Sequence, residues 1–195
     1  MKRVLIAGDS FACDWTKKYN GFGWPNMLTT LYKVKNVAQA GVSEYKIHKQ
    51  LSRENLDKYD YIIVSHTSPF RIPVEKHPLH SKDKLHKNSD LIYNDILHHV
   101  DNHPELSVIT QFYEKYMYSE YMEFVHSLLM RDIDNMLDNK KTLHLFHVED
   151  NCVYKFKNML NFNDIWLANK GLINHYNETG NILVLNKIVE QLEKL

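Results

Sequence analysis

Short apolar runs alternate along the chain with longer amphipathic segments. Residues 4–7 form a continuous apolar run that stops at Gly8, as a buried parallel strand does where it meets a turn. Residues 61–64 predict the clearest strand, because they are apolar, rich in β-branched side chains and uninterrupted. Residues 35–38 predict a second short strand, and residues 142–148, where apolar side chains alternate with histidines, predict a fourth.

Apolar residues at helical spacing separate these strands. The predicted helices cover residues 24–32, 43–56, 89–102, 104–139 and 178–195. Between them, residues 66–88 are rich in Pro, His, Lys and Ser and show no periodicity. Because a long irregular stretch in a compact domain is usually functional or mobile, we interpret it as a loop or lid over a site.

This alternation predicts an α/β protein, a three-layer α/β/α sandwich around a parallel sheet. The length of 195 residues fits one domain, with residues 66–88 as the lid and residues 89–139 as a helical insertion. In open parallel sheets, ligands bind at the carboxyl ends of the strands. We therefore expect chemistry in the turns after Ala7, Ala38 and Val64.

Composition and charge argue against several classes of partner. The 24 basic and 24 acidic residues cancel, so there is no global positive field to attract nucleic acid. No apolar stretch approaches the ~20 residues needed to span a bilayer, and the N-terminal apolar run is too short for a signal peptide. We expect a cytoplasmic protein with neither nucleic-acid nor membrane partners. Cys13 and Cys152 match neither a disulfide framework nor a zinc pattern and are expected to be reduced, packed thiols.

Ser10 is the first candidate catalytic residue. A serine on the turn after a buried strand projects its hydroxyl over the edge of the sheet, and its backbone N–H can help to hold an oxyanion. The alternative is an ordinary helix cap, a common role for Asp or Ser after a strand. Gly41, in the turn after the second strand, either brings a second backbone N–H close to a ligand or is a simple turn glycine.

His175 is the candidate base. It precedes the last predicted helix, and a histidine near a serine hydroxyl can take its proton during attack and return it to the leaving group. The third turn adds polar side chains directly after its strand, as candidates to contact the oxyanion or the substrate: His66, Thr67, Ser68 and Arg71. His66 and Arg71 can equally be ordinary loop residues.

Segments on these elements resemble, in order, the conserved blocks of the GDSL or SGNH hydrolase superfamily. The first is the Gly-Asp-Ser turn that contains Ser10. The second is an Asn-x-(Gly/Ala)-x-x-Gly-x-Ser setting, matched by Asn36, Ala38, Gly41 and Ser43. The last is a histidine before a small turn and the final helix, matched by His175 with Asn177 and Gly180. The resemblance spans almost the whole chain.

The resemblance implies a flavodoxin-like SGNH fold and ester hydrolysis through an acyl-enzyme. It implies that Ser10 is the nucleophile and His175 its base. The implied oxyanion hole consists of the backbone N–H groups of Ser10 and Gly41, with the Thr67 hydroxyl as a third donor. The implied substrate is a small acyl or acetyl ester, such as an O-acetylated carbohydrate or a lipid. No metal or organic cofactor is implied.

The sequence departs from the family pattern at two positions. The third block usually carries an asparagine whose side chain donates to the oxyanion, and Thr67, with a shorter donor, stands in its place. The family's aspartate lies three residues before the histidine, where this chain has Leu172. The remaining candidates to orient His175 are a backbone carbonyl such as that of Leu172, and the side chains of Asn174, Asp164 and Asp150.

Other interpretations stay open. A set of histidines in the middle of the chain suggests a metal site, although their spacing matches no known pattern and favours a solvated loop. They are His77, His80, His86, His98, His99 and His103. The aromatic residues between positions 112 and 124 fall largely at helical spacing, which favours core packing, with a minority lining a substrate groove near the lid. The main alternative function is a binding module on the same fold that has lost catalysis.

Overall fold

The computed structural model describes residues 1–17, 23–148 and 153–195. Five strands pair in parallel into one sheet with the order β2-β1-β3-β4-β5, which is the flavodoxin-like order. The strands are β1 (Arg3–Gly8), β2 (Lys33–Asn36), β3 (Tyr61–Ser65), β4 (Thr142–Phe146) and β5 (Met159–Asn161). The strand order reverses direction at β1 and β3, so the ligand-binding crevice is expected at the carboxyl ends of these two strands.

Seven α-helices are present in the described ranges. They are α1 (Trp24–Leu28), α2 (Glu44–Ser52), α3 (Tyr93–His99), α4 (Ser107–Lys115), α5 (Ser119–Leu137), α6 (Asn163–Ala168) and α7 (Glu178–Lys194). None of these helices has the length and apolar character that crossing a membrane requires.

The helices cover both faces of the sheet, which confirms the predicted three-layer α/β/α sandwich. On one face α1 and α7 pack over a core that includes Val4 and Ile6 of β1. On the other face α2 and α5 pack over Leu5 and Ala7. Adjacent residues of β1 therefore point to opposite faces, and residues 4–8 are all buried, as expected for a central strand of a parallel sheet.

Most predicted elements are confirmed, with boundaries that shift by a few residues. The strands predicted at 4–7, 61–64 and 142–148 correspond to β1, β3 and β4, whereas β2 begins and ends two residues earlier than predicted. The helix predicted to start at residue 24 ends at Leu28, and the region from residue 104 contains two helices, α4 and α5, instead of one.

The sequence pattern does not predict β5 or α6. β5 has three residues, none of them fully buried, and α6 has no buried residue along its six positions. Hydrophobic periodicity in a sequence arises from a buried face of the element. Two short elements without a buried face therefore produce almost no periodicity.

The lid, residues 66–88, contains neither an α-helix nor a strand. It is tied down by an antiparallel bridge between Ile72 and Leu91, and it packs with α3 and α4 around a small separate core. The predicted helical insertion therefore divides in two. α3 and α4 belong to the lid core, whereas α5 is one of the two helices that cover a face of the sheet.

The aromatic residues of α4, of α5 and of the connection between them contradict the prediction of core packing. Tyr113 is buried, but five others are exposed: Phe112, Tyr116, Tyr118, Tyr121 and Phe124. The helical period is interrupted where α4 ends and α5 begins. The buried stripe of α5 starts only at His126, so the first two turns of this helix lie outside the core.

Candidate functional site

The turn after β1 carries Ser10 at the carboxyl end of a central strand. Gly8, the last residue of β1, has a φ of +151°, and a Cβ at this position would lie 2.6 Å from the Cβ of Ser65 on β3. Only glycine allows the two strands to approach this closely here. Ser10 follows two residues later and is half-buried.

Three side chains hold consecutive backbone carbonyl groups of the Ser10 turn. Trp15 Nε1 donates to the carbonyl of Ser10 at 2.8 Å. Trp24 Nε1 donates to the carbonyl of the next residue, and Asn36 Nδ2 to the one after, both at 2.8 Å. Because carbonyl groups away from water need a donor, these three bonds stabilise one conformation of the turn.

Both cysteines were expected to be packed thiols, and Cys13 confirms this. It is buried, and its Sγ–H donates to the carbonyl of Ser10 at 3.5 Å. Cys152 lies outside the described residues.

His175 lies in the loop between α6 and α7, next to the Ser10 turn. Its backbone N–H donates to the carbonyl of Leu172 at 3.1 Å. Its imidazole packs against the rings of Phe11 and Trp15, with centroid distances of 4.8 Å and 4.5 Å. Phe11 follows Ser10 in the chain and Trp15 binds the Ser10 carbonyl, so the structure brings the two predicted catalytic residues into one neighbourhood.

A buried chain of hydrogen bonds connects the loop before α7 with the turn after β1. The Tyr176 hydroxyl lies 2.7 Å from His147 Nδ1. His147 Nε2 lies 3.1 Å from Ser65 Oγ, which donates to Asp9 at 3.2 Å. Since Ser65 has a single hydroxyl proton and directs it at Asp9, the Nε2–H of His147 donates to Ser65. His147 Nδ1 then carries the lone pair and accepts from Tyr176.

Asp9 anchors this chain and is fully buried. Its carboxylate also accepts from the backbone N–H of Phe11 at 3.0 Å and from the Arg71 guanidinium at 3.2 Å. Burial raises the pKa of Asp9, and the charge of Arg71 opposes this effect. Arg71 donates in addition to the carbonyl of Val42 at 2.8 Å. This lid residue, expected to contact substrate, thus ties the lid to the turns after β1 and β2.

His147 is neutral within this chain of hydrogen bonds. Its ring is fully buried and stacks on Phe11, with centroids 4.6 Å apart and planes 3° apart. Burial, with a smaller contribution from the neighbouring His175, lowers the pKa of His147 to about 3. Burial likewise raises the pKa of Tyr176, so its hydroxyl keeps the proton that it donates.

Two of the three expected oxyanion donors are backbone N–H groups. Within the described residues, neither Ser10 nor Gly41 donates its N–H to another residue. Gly41 adopts a φ of +73°. Thr67, the expected third donor, is fully buried, and its backbone N–H donates to Glu44 at 3.3 Å. Its hydroxyl lies beside the carboxylate of Asp9.

The residues that were expected to orient the His175 ring lie in different surroundings. Asn174 adopts a φ of +59°, and its carbonyl accepts from Trp166 Nε1 at 2.7 Å. The Leu172 side chain is exposed, so this residue contributes its backbone carbonyl alone. Asp164 is exposed in the first turn of α6. Asp150 lies outside the described residues.

The prediction that His66 contacts substrate is wrong, because its side chain is fully buried on the opposite face of the sheet. Successive residues point to opposite faces, so His66 turns away from the face to which Ser65 points. Its Nδ1 lies 2.7 Å from Glu44 and its Nε2 lies 2.9 Å from His144. Ser68 is half-buried, and its hydroxyl accepts from the backbone N–H of Phe70 at 3.3 Å.

Glu44, the first residue of α2, is buried among histidines. Besides His66 it faces His126, whose Nε2 lies 3.4 Å from its carboxylate. Burial alone would raise the pKa of Glu44, but the charges and hydrogen bonds of the two histidines hold it well below its ordinary value. His144 stacks on Phe156 at 3.6 Å, and burial lowers its pKa.

A cavity of about 460 Å³ lies beside the Ser10 turn and under the lid. The turns after β1 and β2 contribute Cys13, Asp14, Ala38 and Gln39, and the lid contributes residues 81–85 and 87–88. Asn88 Nδ2 donates to Gln39 Oε1 at 3.1 Å and so joins the two walls. Most of the lining residues are polar or charged, including three lysines of the lid.

Sequence reasoning missed the buried chain from Tyr176 to Asp9. One signal was available: Ser65 ends β3 and His147 directly follows β4, and the carboxyl ends of neighbouring parallel strands lie together. The Glu44 cluster has no comparable signal, because its members come from two helices, a strand and a loop.

Comparison of the sequence with models of known protein families finds no match, and comparison with curated proteins finds none either. The function is therefore inferred from the site itself.

Proposed function

We propose that the protein is a serine ester hydrolase with Ser10 as nucleophile and His175 as base. One observation carries the proposal: the His175 imidazole packs against Phe11, the residue after Ser10, and against Trp15, which holds the Ser10 carbonyl. Acyl transfer by a Ser-His pair requires an imidazole beside a serine hydroxyl. The strand order supports the same location, because β1 borders the switch point of the sheet.

In the proposed reaction, His175 takes the hydroxyl proton of Ser10 as Oγ attacks the acyl carbon. The backbone N–H groups of Ser10 and Gly41 stabilise the oxyanion of the tetrahedral intermediate. Protonated His175 then donates to the departing alcohol, which leaves an acyl-enzyme. His175 then takes a proton from a water molecule as the water oxygen attacks the acyl carbon, and it returns this proton to Ser10 Oγ as the bond to the acyl group breaks and the acid leaves.

The contacts around His175 support its role even though Leu172 replaces the family's aspartate. Its backbone is held by the Leu172 carbonyl, and its ring lies against two aromatic rings. The next residue, Tyr176, is anchored to the sheet through His147. These contacts limit the movement of the imidazole, which favours a productive geometry.

The cavity favours an O-acetylated carbohydrate over a lipid as the substrate. Its volume of about 460 Å³ lies within the usual range for small-molecule sites. A long acyl chain needs an apolar tunnel, whereas most of the residues that line this cavity are polar or charged, among them Lys82, Lys84 and Lys87. We propose that the acetyl group lies at Ser10 and the polar alcohol portion occupies this cavity.

Labelling with a fluorophosphonate probe tests the nucleophile, because the probe reacts with activated serines. Wild-type protein should be labelled, Ser10→Ala should not, and His175→Ala should be labelled roughly 10³-fold more slowly or not at all. Ser52→Ala, at the exposed end of α2, is the matched control and should be labelled like the wild type. Equal labelling of Ser10→Ala and wild type would refute the assignment, and an unreactive wild type would favour the binding module.

Hydrolysis of p-nitrophenyl esters of increasing chain length tests the substrate class. The acetate should be cleaved with the highest kcat/KM, and the rate should fall steeply by the octanoate. A rate that rises with chain length would contradict an acetyl group at Ser10 and would favour a lipid.

A further inference from the structure

A second cluster of potential ligands lies in the lid, away from Ser10. His77 and His80 of the lid converge on Asp95 of α3. His80 Nε2 lies 2.9 Å from Asp95 Oδ2, and His77 Nε2 lies 3.6 Å from the same oxygen. His99, one helical turn after Asp95, places its Nε2 3.9 Å from the other oxygen. His77 and His80, three residues apart in the lid, therefore face Asp95 and His99, which are four residues apart on α3.

His77 distinguishes this cluster from an ordinary solvated set of histidines. The residue is 1% exposed, and among the described residues its Nε2 has no hydrogen-bond partner. A buried imidazole nitrogen without a partner is costly, and this one is directed at the carboxylate shared with His80. The prediction of a solvated histidine loop is therefore wrong for His77.

We propose that His77, His80 and Asp95, with His99 as a fourth ligand, bind one divalent transition-metal ion of the zinc class. Imidazole nitrogens with one carboxylate suit Zn²⁺, which prefers four ligands in a tetrahedral arrangement. The ligand atoms of His77, His80 and Asp95 already lie within 4.8 Å of one another, so small movements bring them to bonding distances. The negative charge of Asp95 also offsets part of the charge of the ion.

Binding requires one local rearrangement at His77. In this structure its Nδ1 accepts from the backbone N–H groups of Leu79 and His80, both at 3.2 Å, which places the proton on Nε2. Coordination through Nε2 moves that proton to Nδ1. The two long contacts at Nδ1 then open, and the turn at residues 77–80 adjusts. This rearrangement gives the proposal a signature in the amide groups of Leu79 and His80.

The ion would fasten the lid to α3. His77 and His80 belong to the lid, whereas Asp95 and His99 belong to a helix. The lid also contacts the candidate active site, because His86 packs edge-on against Trp15 with centroids 6.3 Å apart. A metal at this position would limit the mobility of the segment that covers the cavity, whatever reaction takes place there.

Titration of the full, tag-free chain with Zn²⁺, followed by calorimetry, tests the site. We expect one ion per chain, and an affinity that falls roughly 10²-fold or more in His80→Gln and in Asp95→Asn. His98→Gln is the matched control, since His98 is exposed on the same helix, and it should bind like the wild type. No binding by the wild type, or equal binding by wild type and Asp95→Asn, would overturn the proposal.

Amide NMR spectra provide a readout that survives if a variant folds poorly. Addition of one equivalent of Zn²⁺ to the wild type should shift the amide resonances of Leu79 and His80 and speed their hydrogen exchange, because their hydrogen bonds to His77 Nδ1 open. Ser10→Ala should respond in the same way, so failure of the hydrolase proposal would leave this result unaffected. Zinc-induced shifts confined to other histidines, with Leu79 and His80 unchanged, would contradict the assignment.

Discussion

Tyr176 connects the histidine loop to the interior of the sheet. Its hydroxyl donates to the buried Nδ1 of His147, and its ring packs edge-on against Phe11 with centroids 5.5 Å apart. A tyrosine combines apolar packing with one directional hydrogen bond, and here both contacts are made by the residue next to His175. The position of the proposed base therefore depends on a side chain that does not react.

Tyr176→Phe should lower the free energy of unfolding by about 1–2 kcal/mol, because His147 Nδ1 would remain buried without its donor. If His175 is the base, kcat for acetate ester hydrolysis should fall about 10-fold with little change in KM, because a loosened loop misplaces the imidazole. Urea unfolding and steady-state kinetics measure the two effects. Tyr118→Phe, which removes an exposed hydroxyl bonded to Glu120, is the control. Equal stability of both variants would argue against the hydrogen-bond chain.

His147 makes stability depend on pH in a defined window. Its pKa is about 3 in the folded protein, below the ordinary value of 6.5, so the unfolded chain takes up the proton first as the pH falls. The stabilisation is complete above about pH 6.5 and is lost progressively toward pH 3, by ~1.4 kcal/mol for each pH unit within the window. Urea unfolding at pH 7, 6 and 5 measures this slope. His147→Gln should reduce the slope of the unfolding free energy against pH by the contribution of one proton. An unchanged slope would contradict a neutral, buried His147.

At the scale of elements, the turn from β2 to α2 is where the lid is attached. Gly41 has a φ of +73°, and a Cβ there would lie 2.5 Å from the Cβ of Ser89. The Gly41 carbonyl accepts from the backbone N–H of Asp90 at 2.9 Å. The carboxylate of Asp90 in turn accepts from the backbone N–H of Ser43 at 2.7 Å and from Lys46 Nζ at 2.6 Å. A glycine expected to serve the oxyanion thus also allows the end of the lid to approach.

Gly41→Ala should destabilise the protein by about 2–4 kcal/mol. The left-handed conformation costs a residue with a Cβ about 1–2 kcal/mol, and the contact with Ser89 adds an overpacking cost of similar size. The double variant with Ser89→Gly should recover the free energy lost through overpacking and should still carry the cost of the left-handed conformation. Midpoints of urea unfolding for both single variants and the double variant give the coupling. Additive effects would show that the two side chains do not meet.

Local sequence patterns reveal an element when its buried face follows a single period. Residues 4–7 and 61–64 are buried on both faces, so they form continuous apolar runs that are easy to find. The same reasoning locates Ser10 and Gly41, because each lies in a turn at the end of a strand. It fails for the aromatic residues after Tyr113, because the chain changes direction between two helices and the period no longer describes one face.

The remaining part of the candidate site depends on contacts distant in sequence. Ser65 and His147 are 82 residues apart, and His147 and Tyr176 are 29 residues apart. No local pattern relates them, and the pairing follows only once β3 and β4 are known to be neighbours. The lid cluster is similar, since His80 and Asp95 meet across a turn-rich segment without periodicity.

For the whole molecule, two buried polar networks lie on opposite faces of one sheet and meet at the end of β3. Ser65 belongs to the network that reaches the Ser10 turn, and the next residue, His66, belongs to the network of Glu44. The backbone N–H of Thr67 then donates to Glu44. The end of β3 is therefore held from both sides, and a change in the Glu44 network affects the strand that borders the candidate active site.

Glu44→Gln should destabilise the protein by about 3–5 kcal/mol, because removing the charge from a buried pair leaves its histidine partners uncompensated.

The stabilisation that Glu44 gives to the wild type depends on pH. Because folding lowers the pKa of Glu44, its contribution to the free energy of unfolding is present above about pH 4.5 and is lost as the pH falls toward the lowered pKa. In Glu44→Gln this acid dependence should disappear, while the dependence from His147 between pH 6.5 and 3 should remain. Urea unfolding at pH 7, 5 and 4 measures both, and Glu105→Gln, whose side chain is 68% exposed, should change stability by less than about 0.5 kcal/mol. If Glu44→Gln were as mild as this control, Glu44 would not be the charge that balances the buried histidines, and β3 would have to be held by its other contacts.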